Sequence, residues 1–126
     1  MSFSIEQRER DGVPILKLKG RLVLGPPLDL LRTELLNLLS WGLAADVRAV
    51  VLDCRETEYI DSSALGLLVL AHSRATKEQG KLPIFGLNRR GLELLVITKL
   101  STVFEIYADE ASAIDSCFPE RKARRF

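Results

Sequence analysis

One short segment, residues 47–52, constrains the fold of this chain more than any other. Apart from Arg48 it is apolar and rich in β-branched residues, and Asp46 and Asp53 bound it. This pattern is typical of a strand that is buried on both faces, and such strands belong to parallel sheets. A parallel pair needs a long crossover connection, which is usually a helix. The segment therefore predicts an α/β fold.

The rest of the chain supplies the neighbours of that strand. Residues 5–10 and 13–19 are predicted to pair as antiparallel strands, because Asp11 and Gly12 between them are a strong hairpin signal. Residues 20–25 are expected to form a loop. The remaining predicted elements are strands at 82–85 and 103–106 and helices at 26–41, 63–79, 91–98 and 110–117. The order β-β-α-β-α-β-α-β-α predicts a mixed, mostly parallel sheet with an N-terminal hairpin, flanked by four helices.

Two of these helices carry further expectations. The helix at 91–98 is expected to turn Leu92, Leu95 and Val96 inward. On the first helix, Leu30 and Leu36 form a second apolar stripe, together with Trp41 after them. This stripe is either a protein-binding face or part of the core.

Length and composition fit one globular domain. The chain has 126 residues and a net charge of +1, without the positive excess of a strong nucleic-acid binder. Its longest apolar run, residues 64–71, is far shorter than the ~20 residues of a membrane span. The first residues lack the apolar core of a secretory signal, so a cytoplasmic location is expected.

The domain is predicted to cover residues 1–118, and residues 119–126 form a basic tail. The tail is either a flexible, solvated terminus or an electrostatic arm for an acidic partner or a membrane surface.

Few residues are available for metal or disulfide chemistry. Cys54 and Cys117 are the two cysteines, and His72 is the single histidine. A structural zinc site usually takes four Cys and His ligands, often in closely spaced pairs, and no such pairs occur. We therefore expect two free thiols, no metal site and no cofactor.

The segment after the buried strand carries the candidate site. Asp61, Ser62 and Ser63 lead into a helix whose first turns are apolar nearly all round, so its start packs against the sheet. The first N–H groups of a helix lack partners within the helix. A serine hydroxyl can cap them, and a phosphate is also favoured there. Spacing alone leaves open whether these serines are caps or a modification site.

The same segment resembles a known motif. Residues 59–68 (YIDSSALGLL) are similar to the central motif of the STAS family, which includes bacterial anti-sigma-factor antagonists and the cytoplasmic domains of sulfate transporters. The similarity extends to residues 18–22, 50–53, 82–88, 94–100 and 103–106, and so spans about residues 5–117.

The resemblance implies a regulatory protein without enzymatic activity. In antagonists of this type, a partner anti-sigma factor that is also a serine kinase phosphorylates the first serine of the Asp-Ser-Ser triplet, here Ser62 and less favourably Ser63. Phosphorylation weakens binding to the anti-sigma factor, and a phosphatase reverses it. The expected partner-binding residues are Leu22, Val23, Tyr59, Asp61, Ser62, Ser63 and Ala64.

Two positions depart from the family pattern. Ala64 stands where the family often has glycine, and its methyl group can crowd the close approach of a partner. Val23 stands where the family often has an acidic residue, so the usual kinase or nucleotide contact of that carboxylate is lost. A second use within the same family stays open, as a scaffold or sensor subunit of a signalling complex or as a transporter-associated regulator.

Two other classes of function fit the sequence less well. Ser62 and His72 as a nucleophile and base would lie ~15 Å apart on one helix. Asp53 at the end of its strand suggests a phosphoacceptor of the receiver type, but the first strands lack the acidic residues that would hold magnesium.

Overall fold

The computed structural model describes residues 3–41 and 47–120. The strands are β1 (Ser4–Arg10), β2 (Val13–Leu22), β3 (Val51–Asp53), β4 (Thr57–Ile60), β5 (Ile84–Phe85) and β6 (Ile106–Tyr107); the helices are α1 (Pro26–Leu38), α2 (Ser62–Lys77), α3 (Arg89–Ile97) and α4 (Glu110–Ser116). The α/β class and the order of the elements are confirmed, with one strand, β4, added inside the segment predicted as irregular.

The sheet is mixed, as predicted. Its strand order is β1-β2-β3-β5-β6, and β4 pairs with the far end of β2. The β1–β2 pair is antiparallel, and the other pairs are parallel. At the tip of the hairpin, Asp11 and Gly12 have φ angles of 55° and 82°. Positive φ at both central residues is the geometry of the two-residue turn that matches the twist of the strands.

Helices cover both faces of this sheet. Alternation along β2 sends Leu16 and Leu18 into the larger core cluster, which holds the buried leucines of α1, α2 and α3. Ile15 points the other way, into a smaller cluster that includes Ile114 of α4 and Phe85. The sheet therefore separates α4 from the other three helices, which lie on the side where α2 begins.

Several boundaries differ from the sequence prediction. β2 continues through Gly20 to Leu22, because this part pairs with the unforeseen β4. The strand predicted at 47–52 is assigned only from Val51, but Ala49 still bridges to Lys81. α1 ends at Leu38, short of the predicted end at residue 41, and the tail from residue 121 lies outside the described residues.

The predicted burial of helix side chains is partly wrong. On α3, Leu95 is buried as expected, but Leu92 and Val96 are exposed. On α1, Leu30 and Leu36 are exposed, whereas the ring of Trp41 is half-buried and packs against the core. Among the described residues, no helix is long and apolar enough to cross a membrane.

Candidate functional site

The N-terminus of α2 is placed by the two strands that end beside it. Leu22 of β2 lies in register with Ile60 of β4, and both side chains are buried. The Asp61 backbone N–H then donates to the Leu22 carbonyl at 3.2 Å. The start of α2 is thus fixed against the loop that connects β2 to α1.

Asp61 is the cap of α2. One of its carboxylate oxygens accepts from the Ala64 backbone N–H at 2.8 Å. The other accepts from the Leu24 backbone N–H at 2.9 Å. Of the two roles left open for the serines, the cap is therefore taken by Asp61, which satisfies the free amide and also holds the β2–α1 loop.

Ser62 is the first residue of α2 and is exposed, whereas Ser63 is half-buried. Within the part of the chain that the structure describes, the Ser62 hydroxyl has no hydrogen-bond partner. Gly66 and Leu70 follow at intervals of four residues and are also exposed, so the three share one helix face. Leu24, 70% exposed, lies on the loop that Asp61 holds. We call Leu24, Ser62, Gly66 and Leu70 the Ser62 face.

The other predicted partner-binding residues lie close to this face, but they differ in how far their side chains are exposed to solvent. The side chains of Leu22 and Ala64 are both 0% exposed, so neither can touch a partner, and the methyl group of Ala64 cannot crowd one. Val23, Tyr59 and Asp61 are half-buried. Leu22 and Ala64 therefore support the site from inside.

Two arginines at the site were missed by the sequence analysis. The guanidinium carbon of Arg21 lies 4.7 Å from the centre of the Tyr59 ring, and that of Arg90 lies 5.7 Å from it. Arg21 reaches the ring because it stands opposite Tyr59 in the β2–β4 register. Arg90 comes from α3, which is remote in sequence, so no local pattern could have shown the pair.

Asp53 is not an accessible phosphoacceptor. Its side chain is fully buried and accepts hydrogen bonds from Arg55 and from Arg8. Burial alone would raise the pKa of Asp53, but the hydrogen bonds from Arg55 and Arg8 hold it below its ordinary value of 3.8. A carboxylate held in this way joins β3 to β1 through Arg8, which contradicts the receiver interpretation.

His72 and the two cysteines lie at least partly inside the protein. The His72 ring is half-buried and packs edge-on against Phe104, with centroids 5.7 Å apart. Burial raises the pKa of the Cys54 thiol to about 12, so this thiol is protonated at neutral pH and unreactive. Both cysteines are free, as expected. In the described ranges, no group of three or more His, Cys, Asp or Glu side chains is arranged to hold a metal ion.

Comparison with known proteins identifies a family that covers most of the chain. The model of the STAS domain family matches residues 4–113. The anti-sigma-B factor antagonist of Listeria monocytogenes is 40% identical over 55 residues, which are 44% of this chain and 48% of the relative. The match thus spans about half the length of this curated relative.

Solved structures show the same fold. An anti-sigma factor antagonist from Mycobacterium paratuberculosis superposes with a TM-score of 0.78 at 19% identity, covering 92% of this chain and 94% of that one. The Bacillus cell fate determinant SpoIIAA in its phosphorylated form gives a TM-score of 0.64 at 17% identity, covering 91% of this chain and 98% of that one.

Proposed function

The chain belongs to the STAS domain family, and on that premise we propose that it is a non-catalytic, cytoplasmic anti-sigma-factor antagonist. In this proposal the unmodified Ser62 face binds a partner anti-sigma factor that is also a serine kinase. The kinase phosphorylates Ser62 and so releases itself, and a phosphatase restores the binding form. The Listeria relative and the Mycobacterium protein, both of which are named anti-sigma factor antagonists, support this class of function, and the Bacillus protein of the same fold is known in a phosphorylated form.

One observation carries the proposal: the exposed Ser62 hydroxyl stands at the start of a helix whose cap is already supplied. Because Asp61 accepts from the Ala64 amide, the serine hydroxyl is not needed for the fold. It is therefore free to accept a phosphate without loss of a structural hydrogen bond. Ser63 is half-buried, which favours Ser62 as the acceptor.

The position of Asp61 also explains why a phosphate would act on binding. The carboxylate already accepts from the Leu24 and Ala64 amides, so it occupies the place that favours an anion at a helix N-terminus. A phosphate on Ser62 adds about −1.5 to −2 charges outside that place, on the docking face. A partner that covers the face must desolvate this charge, and weaker binding follows.

The residue assignment is tested by phosphorylation in vitro. The purified chain, incubated with ATP and the cognate anti-sigma kinase, should gain one phosphate, and Ser62→Ala should abolish the gain. Ser63→Ala is the matched control and should still be phosphorylated. Mass spectrometry that places the phosphate on Ser63, on Thr57 or on no residue would contradict the assignment.

The switch is tested separately from the modification. Ser62→Asp should weaken binding to the anti-sigma factor by about tenfold or more, since a carboxylate then lies in the desolvated interface. Ser73→Asp, which adds the same charge at an exposed position farther along α2, should change the affinity by less than about twofold. Equal affinities for Ser62→Asp and the wild type, measured by titration calorimetry, would rule out the switch.

A further inference from the structure

A cationic and apolar surface lies beside the Ser62 face, centred on Tyr59. The guanidinium groups of Arg21 and Arg90 both contact the Tyr59 ring. Both arginines are exposed, and within the described residues neither forms an ion pair. Most other arginines of the described sheet and helices are paired with carboxylates, as Arg8 and Arg55 are with Asp53. Two unpaired guanidiniums held on one ring have donors available for an anionic group.

Next to this ring, a cleft of about 210 Å³ opens between β4 and α3. Its apolar walls are formed by Ile60, Leu87, Leu94 and Ile97, and Arg90 also lines it. Ile97 is 77% exposed, so the apolar wall continues onto the outside of α3, where Val96 and Leu92 are also exposed. The cleft is smaller than the ~300–1,000 Å³ of typical small-molecule pockets, but its rim extends well beyond it. Its size suits one large side chain of a polypeptide that lies across the rim.

The charges around the cleft favour an acidic occupant. Three arginines, Arg21, Arg89 and Arg90, surround it, and two glutamates, Glu58 and Glu93, line it. Glu93 is already paired with Arg89 at 3.0 Å. The guanidinium groups of Arg21 and Arg90 and the carboxylate of Glu58 are then left to contact a partner. Their net charge is positive.

The β4 side of the cleft is a strand edge. The Asn88 side-chain amide donates to the Thr57 and Glu58 carbonyls at 3.3 and 3.4 Å, in place of a neighbouring strand. These two carbonyls are therefore already satisfied, so an extended segment fits across the mouth of the cleft, with one side chain pointing in, without pairing to them.

We propose that this surface, the Tyr59 cleft, docks an extended acidic segment of a partner protein that inserts one large apolar side chain. Carboxylates of the segment pair with Arg21 and Arg90, and the apolar side chain is buried between β4 and α3. This adds a second contact area to the Ser62 face and does not depend on phosphorylation of Ser62.

The test starts from a phage-displayed library of random twelve-residue peptides selected on the unphosphorylated chain. The enriched peptides should contain Asp or Glu together with Leu, Ile, Met or an aromatic residue. One such peptide, synthesised with a fluorescent label, should bind the wild type at least about tenfold more tightly than the double variant Arg21→Glu, Arg90→Glu. Its affinity should also fall as the salt concentration rises from 50 to 300 mM, since exposed charges are then screened.

Three controls test whether the loss of peptide affinity comes specifically from the charges of Arg21 and Arg90. Arg74→Glu reverses an exposed charge near the other end of α2 and should change the affinity by less than about twofold. Ser62→Ala should bind the peptide as the wild type does, so that failure of the phosphorylation proposal and failure of this one are distinguishable. Circular dichroism should show that the double variant is folded, because both arginines are exposed.

Amide chemical shifts locate the peptide directly. On titration, the resonances of Tyr59, Ile60, Arg90 and Ile97 should move most. The proposal is overturned if no peptide is enriched, if the enriched peptides lack acidic residues, or if the double variant binds equally well. Shifts confined to Leu24, Ser62 and Leu70, or displacement of the peptide by free glutarate alone, would also overturn it.

Discussion

At the scale of single residues, Asp61 has the largest structural role in the site. Its two carboxylate oxygens accept from amides of two different segments, the Ala64 amide of α2 and the Leu24 amide of the β2–α1 loop. Ser62, directly after it, makes no such contact among the described residues. Asp61 therefore holds the surface in place, whereas Ser62, the proposed phosphorylation site, is not needed for the fold.

Loss of the Asp61 side chain should destabilise the protein. Asp61→Ala removes a helix cap and leaves a second amide without its acceptor, so we expect the free energy of unfolding to fall by about 2 kcal/mol. Asp29→Ala removes an exposed aspartate from the first turn of α1 and should cost less than about 0.5 kcal/mol. Urea denaturation measures both. Ser62→Ala should match the wild type, and equal stability of Asp61→Ala and Ser62→Ala would show that the cap is unimportant.

At the scale of elements, a network of charges joins α4 to the hairpin and to β3. Arg8 of β1 contacts both Asp53 at the end of β3 and Glu110 at the start of α4. Arg10 adds a second contact to Glu110 at 2.8 Å. The hydrogen bond from Arg8 outweighs burial and lowers the pKa of Glu110 below its ordinary value of 4.5. The pKa of Asp53 is also lowered, so both carboxylates bind protons more weakly in the folded chain than in the unfolded chain.

This network makes stability depend on acid pH. A lowered pKa in the folded state contributes stability that is present above about pH 4.5 and is lost as the pH falls through the folded-state value. Asp53→Asn should lower the free energy of unfolding at pH 7 by about 1–2 kcal/mol. The effect is no larger because Arg8 and Arg55 are partly exposed, so solvent screens their interaction with Asp53. It should also lose less stability than the wild type between pH 5 and pH 2.

Thermal unfolding at a series of pH values measures this difference, and Glu9→Gln, which alters an exposed carboxylate of β1, is the control. Parallel curves for Asp53→Asn and the wild type would show that Asp53 does not contribute to the pH dependence.

At the scale of the whole molecule, the sheet separates two hydrophobic cores. The larger core lies under α1, α2 and α3, on the side of the Ser62 face and the Tyr59 cleft. The smaller core lies under α4. A change in one core reaches the other only through the sheet, since buried strands separate them.

Matched truncations in the two cores should separate stability from binding. Ile114→Ala in α4 and Leu68→Ala in α2 each remove a large buried side chain. Each should lower the free energy of unfolding by about 2–5 kcal/mol. Under conditions where both variants are folded, Ile114→Ala should bind the proposed anti-sigma partner as the wild type does, whereas Leu68→Ala should bind more weakly because α2 is repacked. Equal loss of affinity in both variants would contradict this division.

Much of the architecture follows from local sequence patterns. Asp11 and Gly12 predict the hairpin because few residues accept positive φ, and the β-branched run before Asp53 predicts a buried parallel strand. At the start of α4, the Asp109 side chain caps the helix by accepting from the Ser112 amide, which is also a local interaction. β4 was not predicted, because its pairing partner lies in the far end of β2, and a four-residue strand has too little periodicity of its own.

The amino-acid pattern alone predicts the class of fold, the order of the elements and the position of Ser62 at the start of a helix, since turns, periodicity and caps depend on residues close together in the chain. The exposure of individual side chains, by contrast, follows from how the elements pack in three dimensions. Leu22 and Ala64 proved to be buried, and Leu92 and Val96 proved to be exposed. Arg21 and Arg90 met on one ring across 69 residues of chain. Such outcomes depend on how the elements pack, and packing brings together residues whose proximity no local pattern encodes.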